Sequence, residues 1–412
     1  MKSIQFSFAL CALLFISAHA VAQSEKSRPK LIDPANMDVT VKPGDDFQKY
    51  AGGVWLKNNP VPAKESTWGS FTILRDFNVK AVREILKEAM ADKQAAPGSV
   101  KRRVGDFYAA AMDSLAVDKA GFSPVKEDYV RAGSVQNTNQ VLDEIVYLRT
   151  QGIAGPLFGF FVGQDRKHPN TMVAQLSQGG TSMPDRDYYL KEDARTKKIQ
   201  AAYFTYLNTL FMLAGETEAA AKQRAESVFR LEKKLAAAQM SRVEMRDPYK
   251  TYNKFLVTDF SKKTPAVDWS SMLVKLRAPG QDSLLVNSPR FFSVADSLLQ
   301  HAPIADWQVY LQWNVLRSSA PYLSKPFVDA NFAYNQSLSG QKVQTPRWQR
   351  MANLTDNNIG ELLGQLYVDK HFNKEAKTRM DELVANLVKA YEIRIKNLEW
   401  MSDATKQKAL DK

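Results

Sequence analysis

The side chains best suited to metal chemistry in this sequence are four histidines, His19, His168, His301 and His371. A zinc peptidase typically needs two histidines four residues apart on one helix face, with a glutamate between them that activates a metal-bound water. The four histidines are too far apart in the chain to form such a pair, and no His-Glu-x-x-His motif occurs. His371 and Glu375 could share a helix face, but a single pair of this kind is more often a surface contact.

Other catalytic arrangements are also missing from the sequence. The single cysteine, Cys11, lies in the first apolar stretch, and neither a Gly-x-Ser-x-Gly elbow nor a glycine-rich phosphate loop occurs. The paired acids at residues 45–46 fit helix capping better than acid–base catalysis. The run of Asp185, Arg186 and Asp187 fits an ion-paired turn before a helix better than a catalytic group. The sequence therefore predicts no catalytic residue and no metal ligand.

The densest structural signals lie in residues 43–76. They begin with a turn and a helix-capping signal, followed by apolar residues at helical spacing. Gly52 and Gly53 are expected to interrupt this short helix, a placement that favours a close approach of another part of the backbone. The prolines in residues 60–62 predict an extended crossing, and residues 65–67 are expected to open a second helix.

Helical periodicity continues over most of the remaining chain, which predicts a mainly α fold. Asn139 and Thr217 are predicted to cap helices, and Gly215 to end one. Two short apolar runs, residues 157–162 and 171–176, predict a small β-hairpin. The other predicted helices cover residues 75–90, 100–116, 137–151, 269–276, 294–299, 305–320, 359–368 and 383–398, with a further helix opening at residue 347.

The N-terminus has the pattern of a secretory signal. Residues 1–22 combine Lys2 with an apolar run and small residues suited to cleavage. The apolar run is shorter than the roughly 20 residues of a membrane-spanning helix, which favours a cleaved signal over an uncleaved anchor. The residues before Cys11 fit a lipid-attachment site poorly. Residues 23–36 are polar and predict a flexible leader.

Composition and charge narrow the class of protein. Hydrophobic residues make up 44% of the chain and charged residues 24%, which fits a soluble globular protein rather than a disordered one. The net charge of +12 favours acidic partners or anionic surfaces, yet the basic residues are scattered among acidic ones. No basic stripe with interleaved aromatic residues occurs, so nucleic-acid binding is disfavoured.

Several motifs resemble those of the neprilysin and endothelin-converting-enzyme type of zinc metallopeptidase, which includes bacterial oligopeptidases. The first is D-D-F-x-x-Y-A-x-G-x-W-L-K at residues 45–57, followed by W-G-S-F at residues 68–71. Others are P-D-R-D-Y-Y-L at residues 184–190, L-E-K-K-L-A at residues 231–236 and W-M-S-x-x-T-x-x-x-A-L at residues 400–410. The resemblance covers about residues 32–412 and is to the N-terminal portion of a bacterial member of this family.

The resemblance implies a division of the chain and a division of labour. Residues 37–76 correspond to a segment that touches both lobes, and residues 77–412 to a multi-helix lobe that restricts access to an enclosed cavity. The zinc-binding, thermolysin-like lobe follows W-M-S-x-x-T in the family and is not present in this chain. Zinc is therefore implied for the full-length enzyme and for none of these residues. The implied partners are oligopeptide substrates and the missing C-terminal catalytic lobe, outside the cytoplasm in the medium, periplasm or cell envelope.

The resemblance implies a substrate contact for one residue, Arg75. Arginines near the W-G-S-F position help the family's enzymes recognise the carboxyl end of a substrate, and Arg75 matches the later of them. Thr67 stands at the position of the earlier arginine and Thr72 at that of an associated acid. An ordinary helix-surface arginine remains the alternative for Arg75.

Two classes of function follow. The first is the N-terminal lobe of a secreted or envelope zinc metallo-endopeptidase that hydrolyses oligopeptides, with this chain inactive on its own. The second is a non-enzymatic secreted helical protein that binds peptides or a partner. The gene downstream of residue 412 should encode His-Glu-x-x-His in the first case only. An exposed apolar patch is expected where a missing lobe would dock.

Overall fold

The computed structural model describes residues 32–153 and 155–412. The predicted signal at residues 1–22 and most of the predicted leader lie outside the described residues. The described chain forms two compact units: residues 32–62 with 67–69, and residues 63–66 with 70–412.

The smaller unit is built on helix α1, Phe47–Asn58, preceded by a single 3-10 turn at Pro34–Asn36 in the predicted leader. The expected interruption at Gly52 and Gly53 is wrong, because α1 runs through both glycines. The expected close approach is confirmed: a Cβ on Gly53 would lie 2.8 Å from the Cβ of Asp38. Glycine at this position therefore lets the chain before α1 pack on the helix.

The larger unit is mainly helical, as predicted. Two predicted caps are confirmed. The side chain of Thr217 caps the start of a helix by accepting a hydrogen bond from Ala220 N at 3.3 Å. Gly215 follows the end of the preceding helix with a positive φ of 105°. Asn137, rather than the predicted Asn139, caps its helix. The helices are α2 (Ser70–Ala91), α3 (Val100–Met112), α4 (Ser114–Ala120), α5 (Lys126–Ala132), α6 (Thr138–Thr150), α7 (Asp187–Leu190), α8 (Ala194–Leu213), α9 (Glu218–Ala238), α10 (Val257–Lys263), α11 (Trp269–Lys275), α12 (Pro289–His301), α13 (Ile304–Ser319), α14 (Lys325–Ser339), α15 (Arg347–His371), α16 (Lys374–Lys396) and α17 (Asp403–Asp411).

Several helix boundaries differ from the sequence predictions, such as that of the helix predicted at 294–299, which spans Pro289–His301. The second helix begins at Ser70, within the W-G-S-F motif, and not at residues 65–67. The predicted helix at 100–116 is two helices, because Asp113 leaves the helical conformation and accepts a hydrogen bond from Ala116 N at 3.0 Å. The helices predicted from residue 347 and at 359–368 meet at a kink in α15, where Ile359 has a non-helical φ of −133°.

The predicted hairpin is confirmed and is part of a larger sheet. Strands β1 (Phe158–Gln164) and β2 (Met172–Gln178) pair antiparallel, with Phe158 opposite Gln178. Strands β3 (Asn253–Leu256) and β4 (Ser283–Val286) extend the sheet to the order β1-β2-β4-β3, with β2 and β4 parallel. Neither β3 nor β4 was predicted, because a four-residue strand carries too few positions for alternation to show.

The larger unit has two hydrophobic cores. The main core joins α5–α14 and the sheet around fully buried aromatic residues that include Trp269, Trp307 and Trp313. The second core is a three-helix bundle of α2, α3 and α15, centred on Leu86 and Val104. Gly105 lets α2 and α3 cross closely, since a Cβ there would overlap the carbonyl of Ala89.

A buried carboxylate, Glu232 on α9, lies at the centre of a polar network in the main core. Its Oε2 accepts hydrogen bonds from the hydroxyls of Tyr189 and Tyr203, both at 2.7 Å, and its Oε1 accepts one from Ser182 Oγ at 2.6 Å. Trp313 Nε1 donates to Ser182 Oγ at 2.8 Å. Burial raises the pKa of Glu232, and the three hydroxyl hydrogen bonds oppose that rise. The network joins four helices, α7, α8, α9 and α13, to the segment between β2 and α7.

A second buried carboxylate, Asp165, fixes the turn between β1 and β2. It accepts hydrogen bonds from Tyr252 OH at 2.9 Å, Lys254 Nζ at 3.0 Å and Lys167 N at 2.9 Å. Burial disfavours the charged form, but these donors together hold the pKa of Asp165 well below its usual range. Asp165 thus ties the hairpin turn to β3 at the other edge of the sheet.

Within residues 32–153 and 155–412, no helix is both long enough and apolar enough to cross a membrane.

The Glu232 network yields a stability prediction. Glu232→Ala removes the acceptor of three buried hydroxyls and leaves a cavity, so we expect the free energy of unfolding to fall by about 2–5 kcal/mol. Glu232→Gln, which keeps the shape and one acceptor, should cost less. Urea unfolding measures both variants, with Glu226→Ala on the exposed face of α9 as the matched control.

The same variants test the raised pKa. A group whose folded pKa is raised contributes its full stability below the unfolded value, about 4.3 for glutamate, and loses it as pH rises through the folded pKa. The wild-type protein should therefore lose stability relative to Glu232→Gln as pH rises above that value. A difference between the two proteins that stays constant with pH would contradict the assignment.

Candidate functional site

A cleft of about 600 Å³ lies at the three-helix bundle, where residues 63–66, the first half of α2 and the start of α15 meet. The carbonyl of Ala63 accepts hydrogen bonds from Lys342 N at 3.2 Å and Val343 N at 3.1 Å. These bonds hold the segment before α2 against the segment before α15. The lining residues are Lys64, Glu65, Ser66, Phe71, Leu74, Arg75, Asn78, Val79, Val82, Gln341, Thr345, Gln349, Ala352, Asn353 and Asp356.

Ion pairs form one wall of the cleft. Lys64 Nζ lies 2.8 Å from Asp76 Oδ1 and 3.5 Å from Gln349 Oε1, so it links α2 to α15. Lys80 lies 2.9 Å from the other oxygen of Asp76. Hydrogen bonds from Lys64 and Lys80 lower the pKa of Asp76. The carboxylate of Asp76 therefore stays charged and keeps Lys64 in place.

Arg75, the predicted substrate contact, lies on this wall but is already paired. Its Nη2 is 2.6 Å from Glu65 Oε2, and its side chain is 55% exposed. Among the charged lining residues, Lys64 and Arg75 are balanced by Glu65 and Asp356. The cleft thus offers an exposed guanidinium without an excess of positive charge.

Apolar side chains of the same helix, α2, also line the cleft. Phe71 is 91% exposed and Leu74 57% exposed, both on the first turns of α2. Val79 and Val82 follow further along the helix. A cleft lined by both charged and apolar side chains can hold an amphipathic ligand such as a short peptide.

The three histidines within the described residues lie apart, each in a local contact, and His19 lies outside the described residues. His301 ends α12, where its Nδ1 lies 2.8 Å from the carbonyl oxygen of Ser297. His371 ends α15, and its ring packs on Tyr367 with the centroids 4.8 Å apart. His168 lies in the turn between β1 and β2.

His371 and Glu375 do not share a helix face, so that possible arrangement from the sequence is wrong. Phe372 has a non-helical φ of −128°, so α15 ends at His371 and Glu375 belongs to the next helix. Glu375 pairs instead with Arg379 at 2.8 Å.

The described residues do not fit a zinc ion. In the described part of the chain, no group of three or more His, Cys, Asp or Glu side chains is arranged to hold a metal. No step of a zinc reaction can therefore be derived from these residues.

The acidic run at residues 185–187 is structural, as predicted. Asp185 pairs with Arg242 at 2.5 Å, Asp187 pairs with Lys191 at 2.8 Å, and Arg186 donates to the carbonyl of Gln239. This turn leads into α7, which carries Tyr189 of the Glu232 network.

Two polar centres were not predicted. Glu232 follows Val228 by four residues and precedes Leu235 by three, so its place on an apolar helix stripe was a signal that it is buried. The contact of Lys64 with Gln349 joins residues 285 positions apart, and no local pattern could have revealed it.

Comparison with known sequences assigns most of the chain to one family. Residues 43–412 match the N-terminal profile of peptidase family M13. The chain is similar to mouse (Mus musculus) endothelin-converting enzyme 1, with 27% identity over 388 residues, which cover 92% of this chain and 50% of that protein. It is equally similar to neprilysin-3 of Drosophila melanogaster, with 27% identity over 398 residues and the same coverage.

Comparison with solved structures agrees. The fold matches the zinc metalloprotease Zmp1 of Mycobacterium tuberculosis in complex with an inhibitor, with a TM-score of 0.83 and 31% identity over 92% of this chain and 57% of that one. PepO from Lactobacillus rhamnosis shares the fold at a TM-score of 0.75 and 19% identity, over 90% of this chain and 58% of that one.

The chain spans about half the length of the curated relatives it matches. Its helices, its four-stranded sheet and the motifs at residues 45–57 and 184–190 lie within the matched region. The chain therefore belongs to peptidase family M13, of which it carries the N-terminal domain.

Proposed function

We propose that this chain is the substrate-restricting N-terminal lobe of an extracytoplasmic zinc metallo-endopeptidase that hydrolyses oligopeptides. The observation that carries the proposal is the family match over residues 43–412, together with longer relatives, of which Zmp1 is named a zinc metalloprotease. In this proposal zinc and the catalytic groups belong to a C-terminal lobe, and the present residues shape access to them. The secretory pattern at residues 1–22 supports the location.

The surface of α16 supports the proposed contact with a catalytic lobe. No residue of this 23-residue helix is buried. Exposed apolar residues repeat at helical spacing along it, and an exposed stripe of this kind normally packs against another part of a protein. The stripe comprises Met380, Leu383, Val384, Leu387, Val388 and Tyr391.

Arg75 is proposed to contact the carboxyl end of a bound peptide. Its guanidinium is exposed and suits a carboxylate, and Phe71 and Leu74 beside it can contact apolar side chains of the peptide. Glu65 competes for the same guanidinium at 2.6 Å. The contact is therefore expected to be weak unless the peptide displaces Glu65.

The first prediction concerns activity. We expect the purified chain to cleave no quenched-fluorescent oligopeptide, with or without added zinc, because its described residues do not form a zinc site. If the gene encodes a longer polypeptide that carries His-Glu-x-x-His, that polypeptide should cleave the same oligopeptide, and a chelator should abolish the cleavage. Stoichiometric zinc in the chain, with chelator-sensitive cleavage, would overturn the division of labour. A gene that ends at residue 412 would favour the non-enzymatic binding protein.

The second prediction concerns the exposed stripe. Replacing Leu383 and Leu387 together with lysine should reduce self-association of the purified chain, because both residues are about half exposed and lie one turn apart on α16. The free energy of unfolding should change by less than about 0.5 kcal/mol, as for surface substitutions. Light scattering after size exclusion measures association. Leu115→Lys, at an exposed leucine on α4, is the control and should leave association unchanged.

The third prediction concerns Arg75. Arg75→Gln should weaken binding of a hexapeptide with a free carboxyl end by about two- to fivefold, the range expected for an exposed ion pair. Glu65→Gln should strengthen it, because the guanidinium loses its competitor. Calorimetry with the free acid and the amidated peptide isolates the carboxylate. Arg103→Gln, at an exposed arginine of α3, is the control. Equal binding of the two peptides to wild-type protein would refute the proposed contact.

A further inference from the structure

A second cavity, of about 390 Å³, lies on the other side of the segment that precedes α15. It is formed by the start of α14, the residues before it and the first half of α15. Its volume is within the range of small-ligand sites. The lining residues are Pro321, Tyr322, Val328, Asn331, Phe332, Asn335, Gln341, Gln344, Thr345, Arg350, Met351, Asn353, Leu354 and Asn357.

The charge in this cavity is unbalanced. Arg350 is the only lining side chain that is charged at neutral pH. No carboxylate of the described residues lies within ion-pair distance of it, and its Nε donates to the carbonyl of Thr345 at 3.2 Å. The charge of Asp329 acts on the Arg350 guanidinium, but Asp329 is itself paired with Lys325. A half-buried guanidinium in this state is suited to bind an anion, and a carboxylate matches its geometry.

The environment of Arg350 disfavours an unpaired positive charge. Burial lowers the pKa of its guanidinium, and the nearby charge of Arg347 lowers it further. Arg347 is not free to rotate away easily, since its Nη2 donates to the carbonyl of Ala111 at 2.6 Å. A bound anion would relieve both effects.

The remaining polar groups are amides, and several have spare hydrogen-bonding capacity. Gln344, Asn353 and Asn357 make no side-chain hydrogen bond to the rest of the described chain. Asn331 uses its oxygen for the hydroxyl of Tyr206 at 3.1 Å, which leaves its NH₂ group to donate. Asn335 uses its NH₂ group for the carbonyl of Asn331 at 2.9 Å, which leaves its oxygen to accept. Adjacent donors and acceptors of this kind match hydroxyl or amide groups on a ligand.

We propose that this cavity binds a small carboxylate that also bears hydroxyl or amide groups, with the carboxylate on Arg350 and the other polar groups on the amides of α14 and α15. Tyr322 and Phe332 supply the flat apolar surface for the body of the ligand. Sugar acids and N-acylated dipeptides share this chemistry. The site is separate from Arg75, and binding there does not require peptidase activity.

The test is a titration of the full chain with small probes, in which ligand-observed NMR detects binding. The probes are glucuronate, uncharged glucose, acetyl-dialanine and its C-terminal amide. We expect millimolar or tighter saturable binding of glucuronate or acetyl-dialanine, and weaker binding of the uncharged partner of whichever binds. Binding of glucuronate alone identifies a sugar-acid site, and binding of acetyl-dialanine alone identifies a peptide site.

The variants locate the binding. Arg350→Gln should weaken binding of the carboxylate about tenfold to a hundredfold, the range for hydrogen bonds to a charged group. Asn357→Asp, an exposed and nearly isosteric change, should weaken it by repulsion without unfolding the chain. Arg290→Gln, at an exposed arginine of α12 that lines neither cavity, should leave it unchanged. No saturable binding of either carboxylate, or binding that is insensitive to both Arg350→Gln and Asn357→Asp, would overturn the proposal.

Discussion

The buried carboxylate of Glu232 constrains the arrangement of the main core. A charge removed from water is tolerated only where donors surround it, and here three hydroxyls from separate parts of the chain supply them. Ser182 extends the network to Trp313, and Tyr310 on the same helix joins Gly180 O at 2.9 Å to Leu157 N at 3.0 Å. Leu157 has a positive φ of 70°, an unfavourable conformation that this hydrogen bond helps to hold. The entry of β1 into the sheet thus depends on the same polar core.

The three-helix bundle of α2, α3 and α15 has a different role, since α15 contributes residues to both candidate ligand sites. Gln341, Thr345 and Asn353 line both cavities, so the segment before α15 separates them. Arg75 on one side is neutralised by Glu65, whereas Arg350 on the other side has no such partner among the described residues. The two guanidiniums therefore differ in readiness to accept an anion, although both belong to the same small bundle.

Local physics explains which features could be predicted from the sequence. The hairpin at β1 and β2 has seven residues in each strand, whereas β3 and β4 have four each and were missed. The pair at Gly52 and Gly53 was expected to break α1, but the helix continues through both glycines, and Asp38 packs on Gly53. Contacts between distant residues, such as Lys64 with Gln349 or Arg350 with its amide neighbours, arise from the tertiary fold. A family motif was enough to identify Arg75, whereas its pairing with Glu65 depends on how the chain turns before α2.

The exposure of α16 has a consequence for its own folding. A helix of 23 residues without a buried side chain gains no tertiary stabilisation, so its stability rests on propensity and local pairs. The pairs of Lys377 with Asp381 and Lys396 with Glu392 are exposed to solvent, and exposed pairs contribute little to stability. We therefore expect this helix to unwind independently of the main core. Its backbone amides should exchange with deuterium early, long before those of α9, until another surface covers the stripe.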